Sequence, residues 1–468
     1  MKRRTFGLLS GSSIMALRAG SAWAQTSGGA ATASQLGGKI LTPMGSEVAG
    51  NADGSIPAWT GGMTTLPPGV QPGEYIPELF PDETPVVVIN AANMSQHAER
   101  LTDGVMAMMK KYGYSIKVYP THRTHAMPQY IYANIAKNAV TAKFADADPV
   151  GGRFGFAEAY GGIPFPIPDV SNPLTAGAQI MWNHAVNWNG YAYTFINESW
   201  VVSGGQPTLA SRTLSNTLYP YYDPNGSLAT YDTNVLYELY IDFTAPANLL
   251  GQVILLKHNA DPYAHRNQSW LLLNGEGRVR LAPELSFDTP SSSTGGNANW
   301  DEYYGLTGSL EEYDWKFIGK QEMYVPYNTN GLYASSAEAA HLAHFIDPNL
   351  VRWELHRCWV VEATLHPGER NTLARRRFYV DEDTWTIALY DAWDANNNLF
   401  HVGMLFNYCM PNLPGNILLG NVCHNLQSDD YVSIQAMWNQ KESFGWKIES
   451  GFPAVTFDPS HMAAAAQF

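Results

Sequence analysis

The alternation of apolar and polar residues in the second half of the chain predicts a β-rich fold. Short segments rich in β-branched and aromatic residues follow one another, with Gly, Asp and Asn turns between them, as in successive antiparallel strands. The predicted strands cover residues 191–202, 236–243, 252–256, 270–273, 277–281, 315–325, 352–365, 376–380, 385–391 and 399–408. Because no crossover helices separate them, they are expected to form one wide antiparallel sheet.

Helical periodicity is confined to the first 190 residues. Apolar residues at helical spacing predict helices over 95–112, 127–143 and 177–189. Between residues 41 and 85 Gly and Pro are too frequent for a long regular element. The helices and this coil are the material available to cover the sheet. We therefore predict a mainly β (α+β) fold, a large antiparallel, partly open β-barrel covered by helices and Gly/Pro-rich coil.

Aromatic residues recur on one face of the predicted sheet. Along 352–365, alternation places Trp353 and Trp359 on one face and Glu354 and His356 on the other. The candidate residues of an apolar, ligand-binding lumen are Trp315, Phe317, Met323, Trp353, Trp359, Trp385 and Ile387. Ordinary core packing is the alternative for each of them, but as a set they are expected to line whatever space the sheet encloses.

Basic residues on the same strands could contact the anionic head of a ligand. The candidates are Arg357, Arg376, Lys316 and Lys320. Lys316 and Lys320 are expected on one strand face. Pairing with the many acidic residues is the alternative for all four, and it is the one we favour. The acidic run 381–383 between two strands predicts a solvated turn rather than a catalytic or calcium site.

Established catalytic motifs are missing from the sequence. It contains no G-x-S-x-G elbow, no phosphate-binding P-loop and no dinucleotide-binding glycine motif after a strand. The pairs His122/His125 and His341/His344 have ligand-like spacing, but two nitrogens are too few for a metal site. We predict neither a metal nor a cofactor.

The N-terminus predicts export. Residues 1–24 combine a basic start, a short apolar middle and an Ala-x-Ala end, which is typical of a cleavable signal peptide. The adjacent Arg3 and Arg4 resemble the twin-arginine subtype. Residues 25–38 are predicted to be a flexible start, and 39–460 a single domain. The net charge of −14 argues against nucleic-acid binding, and a periplasmic location is predicted.

Cysteine and aromatic content refine this picture. Cys358, Cys409 and Cys423 cannot all pair, which excludes a disulfide framework. Cys409 and Cys423 could pair across a hairpin, but buried inert thiols are the alternative we favour. The chain contains 14 Trp, 26 Tyr and 18 Phe, residues that fill cores and also line clefts for apolar ligands.

Four blocks of sequence are long enough to compare with known families. They are 41–62, 161–168 (Gly-Gly-Ile-Pro-Phe-Pro-Ile-Pro), 313–328 and 353–383. Together they resemble the DUF1329 family of exported Gram-negative proteins, often labelled outer-membrane lipoprotein-sorting-like. The resemblance covers most of the chain between the first and the last of these blocks.

The resemblance implies a distant relation to the LolA/LolB carriers, whose unclosed antiparallel barrel and helical lid hold acyl chains. Family genes commonly neighbour RND-type exporters and outer-membrane proteins, which implies transport of a hydrophobic compound, and the family supplies no catalytic residues. We therefore expect periplasmic shuttling of a lipid-like hydrophobic molecule between an inner-membrane exporter and the outer membrane. The alternatives are an exported hydrolase of apolar esters, using a histidine such as His356 near Glu354, and a structural partner of an outer-membrane protein.

Overall fold

The structure is a computed structural model. It describes residues 32–145, 152–231, 235–273, 275, 277–282, 285, 287–441 and 444–465. The predicted signal peptide, residues 1–24, lies outside the described residues. Within the described ranges no helix is both long enough and apolar enough to cross a membrane.

The helices concentrate in the N-terminal part of the chain, as predicted. In the described residues they are α1 (Asp103–Tyr112), α2 (Gln129–Thr141), α3 (Pro173–Ala185), α4 (Ala337–Ala340) and α5 (Pro459–Ala465). The helix predicted over 95–112 is interrupted, because Met94–Arg100 is a 3-10 helix and α1 begins after it. The Thr102 side chain accepts a hydrogen bond from the Val105 N–H and so starts α1 as its N-cap.

Strands make up most of the remainder. In chain order they are β1 (Val87–Ile89), β2 (Ile116–Val118), β3 (Lys143–Phe144), β4 (Phe156–Ala157), β5 (Ala192–Ser203), β6 (Gln206–Leu218), β7 (Tyr237–Ala245), β8 (Val253–His258), β9 (Gln268–Leu272), β10 (Arg280–Leu281), β11 (Tyr313–Pro326), β12 (Trp353–Leu365), β13 (Arg375–Asp381), β14 (Ile387–Trp393), β15 (Leu399–Met410), β16 (Gly415–Asn425), β17 (Asp430–Ala436) and β18 (Trp446–Ile448). Apart from the small β3–β4 pair, the described strands belong to one sheet of 16 strands.

The sheet is wide and does not close. Its strand order is β1-β2-β12-β13-β14-β15-β16-β17-β5-β6-β7-β8-β9-β10, with β11 paired to β12 and β18 paired to β5. Neighbours are antiparallel except β2 and β12, which meet in parallel at Val118 and Trp353. The prediction of a large, partly open and mainly antiparallel β-structure is confirmed. The two halves of the sheet join where β17 pairs with β5, for example Tyr431 opposite Val202.

The sequence did not predict the short strands β1–β4 and β18 or the longer strands β6, β16 and β17. In β6 the buried positions are the small hydroxyl residues Ser211, Thr213, Ser215 and Thr217, whereas Leu214 is exposed. Hydroxyls face inward and an apolar residue faces outward, so the usual alternation signal is inverted. In β16 nearly every residue is buried, and a continuous run of this kind carries no period of two.

The central strands are covered on both faces. A Cβ atom on Gly104 of α1 would lie 2.2 Å from Asp391 in β14, so this helix lies directly on the sheet. On the opposite face a Cβ on Gly177 of α3 would lie 2.5 Å from the Trp315 carbonyl oxygen of β11. The two helices belong to two separate hydrophobic clusters. Glu354 and His356 are therefore buried as well.

A β-bulge at Ile318 changes the faces of β11. Phe317 lies opposite Val361, but Gly319 lies opposite Val360, so Ile318 is the extra residue. Each side chain beyond it points to the face opposite to that expected from strict alternation. Lys316 and Lys320 consequently lie on opposite faces, which makes the prediction of a shared face wrong.

Candidate functional site

A cavity lies between strands β5–β8 and the cover formed by the end of α3 and residues 300–308. The space free of atoms is about 980 Å³ when solvent at the mouth is included, but the part that can hold the centre of a water molecule is about 80 Å³. Leu239 and Ile241 line its floor from β7, since residues two apart in a strand share a face. Leu418 of β16 and Gln435 of β17 complete its wall from the other half of the sheet.

Aromatic side chains dominate the cavity wall. They are Trp182, Tyr193, Tyr219, Tyr237, Trp300, Tyr303 and Tyr304. The Tyr219 and Tyr237 ring centroids are 5.2 Å apart, and Trp300 stacks on Tyr303 at 5.3 Å. Burial raises the pKa of Tyr303 to about 12 and that of Tyr219 well above its usual value. These phenols are neutral at physiological pH.

The polar groups of the wall are neutral as well. Burial lowers the pKa of His184 and of His258 to about 4. His184 uses both ring nitrogens, because Nδ1 accepts a hydrogen bond from the Ile387 N–H at 3.2 Å and Nε2 donates to the Tyr304 carbonyl at 3.1 Å. The remaining polar side chains are amides and hydroxyls, and the described residues that line the cavity include no Asp, Glu, Lys or Arg.

A buried ion pair holds the cover in place. Arg376 of β13 is fully buried, with Nη1 2.8 Å from Asp301 Oδ2, and its Nη2 donates to the Gly305 carbonyl at 3.0 Å. Asn421 Nδ2 donates to the Glu302 carbonyl at 3.1 Å. The backbone carries positive φ at Tyr304 and Gly305. The wall residues 300–305 are therefore fixed to the central sheet by side-chain contacts.

Next to this pair is the group of described side chains best placed to hold a metal ion: Glu302, His401 and Cys423, whose ligand atoms lie within 4.8 Å of one another. Glu302 Oε1 is 2.7 Å from His401 Nδ1 and 3.4 Å from Cys423 Sγ, and it accepts a hydrogen bond from Tyr390. Burial alone would raise the pKa of Glu302, but the adjacent His401 holds this pKa at about 2. As it stands the group is a hydrogen-bonded network around one carboxylate.

The predicted lumen residues lie elsewhere. Trp315, Phe317, Trp359, Trp385 and Ile387 belong to the cluster under α3, whereas Met323 and Trp353 belong to the other cluster. The Trp359 and Trp385 rings stack with centroids 5.7 Å apart. None of the seven lines the cavity described above. Their role in ligand binding stays a prediction.

Arg357 and Arg376 are buried and Lys320 is partly buried, each beside a carboxylate, which is the arrangement expected from the alternative of ion pairing. Arg376 pairs with Asp301, as described above. Lys320 Nζ lies 2.5 Å from Glu382, and Arg357 Nη1 lies 3.1 Å from the same side chain. Lys316 is exposed.

The acidic turn 381–383 is buried, so the prediction of a solvated turn is wrong. Arg123, from the chain that follows β2, makes two contacts to Asp383, Nε to Oδ2 at 2.8 Å and Nη2 to Oδ1 at 2.7 Å. Despite the opposing effect of burial, Arg123 holds the pKa of Asp383 at about 2. We call the five side chains Arg123, Lys320, Arg357, Glu382 and Asp383 the buried ion network.

The buried ion network fixes the N-terminal coil to the sheet. Arg123 Nη2 donates to the Glu47 carbonyl at 2.7 Å, and Arg357 Nη1 donates to the Ala49 carbonyl at 3.0 Å. Nearby, Trp385 Nε1 donates to the Met44 carbonyl at 2.9 Å. A Gly/Pro-rich coil has few hydrogen bonds of its own, so these donors satisfy carbonyls that would otherwise be buried without partners.

His356 does not have the geometry of a general base. Its Nε2 lies 3.2 Å from Glu354 and its Nδ1 3.3 Å from Asp381, while its ring stacks on Tyr327 at 3.8 Å. Burial opposes its charge, but the two carboxylates raise the pKa of His356 to about 9. A protonated ring with both nitrogens occupied cannot take a proton from a nucleophile at neutral pH.

The three cysteines are free and buried. Burial raises the pKa of Cys409 to about 12, which removes the nucleophilic thiolate at physiological pH. The thiols are buried, as in the interpretation we favour, and Cys409 and Cys423 do not pair.

Comparison with known proteins decides the family. A sequence model described as "Protein of unknown function (DUF1329)" matches residues 88–463. The chain belongs to the DUF1329 family. An uncharacterized protein of Pseudomonas aeruginosa is 36% identical over 381 residues, which is 78% of each chain.

Solved structures resemble this DUF1329 protein more weakly. A DUF1329 family protein from Desulfovibrio piger is 14% identical and covers 62% of this chain and 99% of its own, with a TM-score of 0.42. A putative outer membrane lipoprotein-sorting protein domain from Vibrio parahaemolyticus is 10% identical over 62% and 99%, with a TM-score of 0.41. A LolA superfamily protein from Nitrosomonas europaea is 10% identical over 60% and 95%, with a TM-score of 0.34.

Sequence reasoning missed the cavity residues of this DUF1329 protein. Tyr219 and Tyr237 lie at or next to strand ends, and Trp300 and Tyr304 lie in a loop-like segment where no period marks an inward face. The one available signal was the excess of tyrosine. Tyrosine combines a large apolar surface with a polar tip, which suits the wall of a cavity better than the centre of a core.

Proposed function

We propose that this protein binds a hydrophobic small molecule or lipid in the cavity between β5–β8 and the 300–308 cover and carries it through the periplasm. The observation that carries the proposal is the aromatic wall itself, a concave and largely apolar surface with convergent neutral polar groups. Burying about 300 Å² of apolar ligand surface contributes roughly 7 kcal/mol. That contribution has to offset the entropy lost on association.

The cavity has to widen to accept such a ligand. About 80 Å³ of space for water centres accommodates a few water molecules and not an acyl chain or a ring system. We infer that the cover is the part that moves, because its short 3-10 helix is kinked, with non-helical torsions at Tyr303 and Tyr304, and that binding breaks the Arg376 and Asn421 contacts that hold it. We infer that binding displaces this cover from the floor formed by β7.

The route and partners complete the proposal. The basic, apolar and Ala-x-Ala pattern of residues 1–24 supports export, and the paired arginines support the twin-arginine route. We propose that an RND-type exporter of the inner membrane delivers the ligand and that an outer-membrane protein receives it.

The first experiment is mass spectrometry of the protein exported in a Gram-negative host and purified without detergent. We expect the native mass to exceed the denatured mass by one hydrophobic molecule that can be extracted into organic solvent. Leu239→Trp, which fills the cavity, should lose that molecule. Leu214→Trp makes the same change at an exposed position of the neighbouring strand β6 and should retain it.

A clean apo mass that persists after incubation with fatty acids, phospholipids and sterols would contradict the carrier function. Retention of the ligand by both variants would place the binding site outside this cavity.

A further inference from the structure

We propose that the ligand is an uncharged molecule with flat rings and a hydroxyl or carbonyl group at its edge, and not a fatty acid or phospholipid. This inference rests on the proposed function, since it names the ligand class of the same cavity. Three features of the wall carry it: the absence of charge, polar atoms without partners, and paired aromatic rings.

The wall offers nothing to balance a charged head group. No Asp, Glu, Lys or Arg is among the described residues that line the cavity, and its two histidines are neutral. A carboxylate or phosphate drawn into this space would lose its hydration without gaining a counter-charge, which is strongly unfavourable. Arg376, the basic residue that holds the cover, is paired with Asp301 and is not part of the wall.

Three polar atoms of the wall lack a hydrogen-bond partner. They are Trp300 Nε1, Thr217 Oγ1 and Gln435 Oε1, which are buried and make no hydrogen bond within the protein. An unpaired buried donor or acceptor is costly, so such groups are rare in folded proteins. The indole N–H is a donor, the amide oxygen is an acceptor and the Thr217 hydroxyl can be either, so a ligand hydroxyl can satisfy any of them. A ligand carbonyl can accept from Trp300 or Thr217.

The aromatic pairs favour rings over alkyl chains. Tyr219 and Tyr237 form one pair and Trp300 and Tyr303 another. Aromatic faces gain stacking energy from a second ring beyond the area that they bury, and they have few rotatable bonds with which to follow a flexible chain. Planar surfaces therefore bound the space that opens when the cover moves.

The test uses the whole protein, freed of any copurified ligand, and probes matched in pairs. N-phenyl-1-naphthylamine is neutral, and 8-anilino-1-naphthalenesulfonate carries a sulfonate on the same ring skeleton. 1-Dodecanol and dodecanoate provide a neutral and an anionic chain as competitors. We expect the neutral ring probe to bind at least about tenfold more tightly than the sulfonate, and dodecanoate to leave it bound.

A second pair tests the role of Trp300. Fluorenone and fluorene differ by a carbonyl group, so an indole N–H that donates to the ligand should favour fluorenone. Trp300→Phe keeps an aromatic ring and removes the donor, and it should abolish the preference while fluorene affinity changes little. An equal preference in both forms would remove Trp300 from ligand recognition.

The outcomes separate this inference from the proposed function. If dodecanoate or the sulfonate binds as tightly as the neutral ring probe, the ligand class is wrong and the carrier function stands. If dodecanol equals the ring probe, the requirement for rings is wrong. If none of these compounds binds and no hydrophobe copurifies, both the ligand class and the carrier function are overturned.

Discussion

The cavity and the buried ion network both lie against the same sheet, but their polar groups differ in charge and in pairing. In the network, Arg123 and Asp383 are charged and bound to each other at 2.7–2.8 Å. In the cavity wall all groups are neutral, and Trp300 Nε1 is left without a partner. In the network the chain supplies an opposite charge beside each charged side chain, although Arg357 Nε makes no hydrogen bond, whereas the cavity wall contains no charged side chain among its described residues. Aromatic content does not distinguish the two, whereas the state of the polar groups does.

The strongest way to break the network is Asp383→Ala. The substitution removes the carboxylate that pairs with the buried Arg123 and leaves a void in its place. Losing one partner of a buried ion pair costs about 3–5 kcal/mol. The midpoint of denaturant unfolding should fall accordingly. Asp429→Ala removes a carboxylate that is half exposed beside Lys111, where the expected loss is below about 1 kcal/mol. Similar losses in the two variants would show that the network is not a stabilising centre.

Arg376→Met should have a smaller effect on stability but a larger one on the cavity. Burial raises the pKa of Asp301, so the unpaired carboxyl can take up a proton, and we expect a loss of about 2 kcal/mol. The cover also loses an attachment that binding has to break, so neutral-probe affinity should rise although stability falls. The control is Arg377→Met on the same strand, at a partly exposed position. Unchanged probe affinity in Arg376→Met would separate the cover from binding.

The mildest comparison varies pH alone. His356, raised to a pKa of about 9 from the ordinary 6.5, contributes stability that is complete below pH 6.5 and lost as the pH rises through 9. Burial raises the pKa of Asp391 to about 7. The folded protein therefore also loses stability as the pH rises through 7 and this carboxyl ionises. The cavity histidines His184 and His258 stay neutral throughout, so neutral-probe affinity should not change.

Unfolding midpoints and probe titrations at pH 6.5 and pH 9 check this expectation. His356→Gln should flatten the dependence of stability on pH over that interval. An affinity that follows pH in the folded protein would mean that a titrating group does reach the ligand.

Sequence reasoning recovered strands rich in β-branched and aromatic residues, even where both faces are buried as in β15, and it missed β6, whose buried positions are polar. The strand predicted over 399–408 appears as β15, and the open sheet follows from hairpins of this kind. In β6, Thr217 is buried and Leu214 is exposed, so the hydrophobicity pattern does not identify the buried face of this strand. Nothing in the sequence identifies Ile318 as the extra residue of a β-bulge, yet this bulge reverses the face to which the later side chains of β11 point.

The candidate site was harder to predict for a physical reason. Alternation predicts that Trp359 points inward, but not whether a neighbour fills the space in front of it. Trp385 does fill it, whereas the space before Tyr237 stays partly empty because the 300–308 cover does not fill it. Such vacancies depend on how distant segments meet. The burial of the turn 381–383 likewise depends on Arg123, about 260 residues away.

The junction of β17 with β5 has a consequence for how the chain folds. Tyr431 pairs with Val202 across more than two hundred residues, and contacts this distant in sequence form late and slowly. Leu418 and Gln435 enter the cavity wall from the late strands, so a ribosome must complete nearly the entire chain before a binding site exists. A chain that stopped before β17 would leave one edge of β5 without this partner, and unpaired strand edges are templates for aggregation.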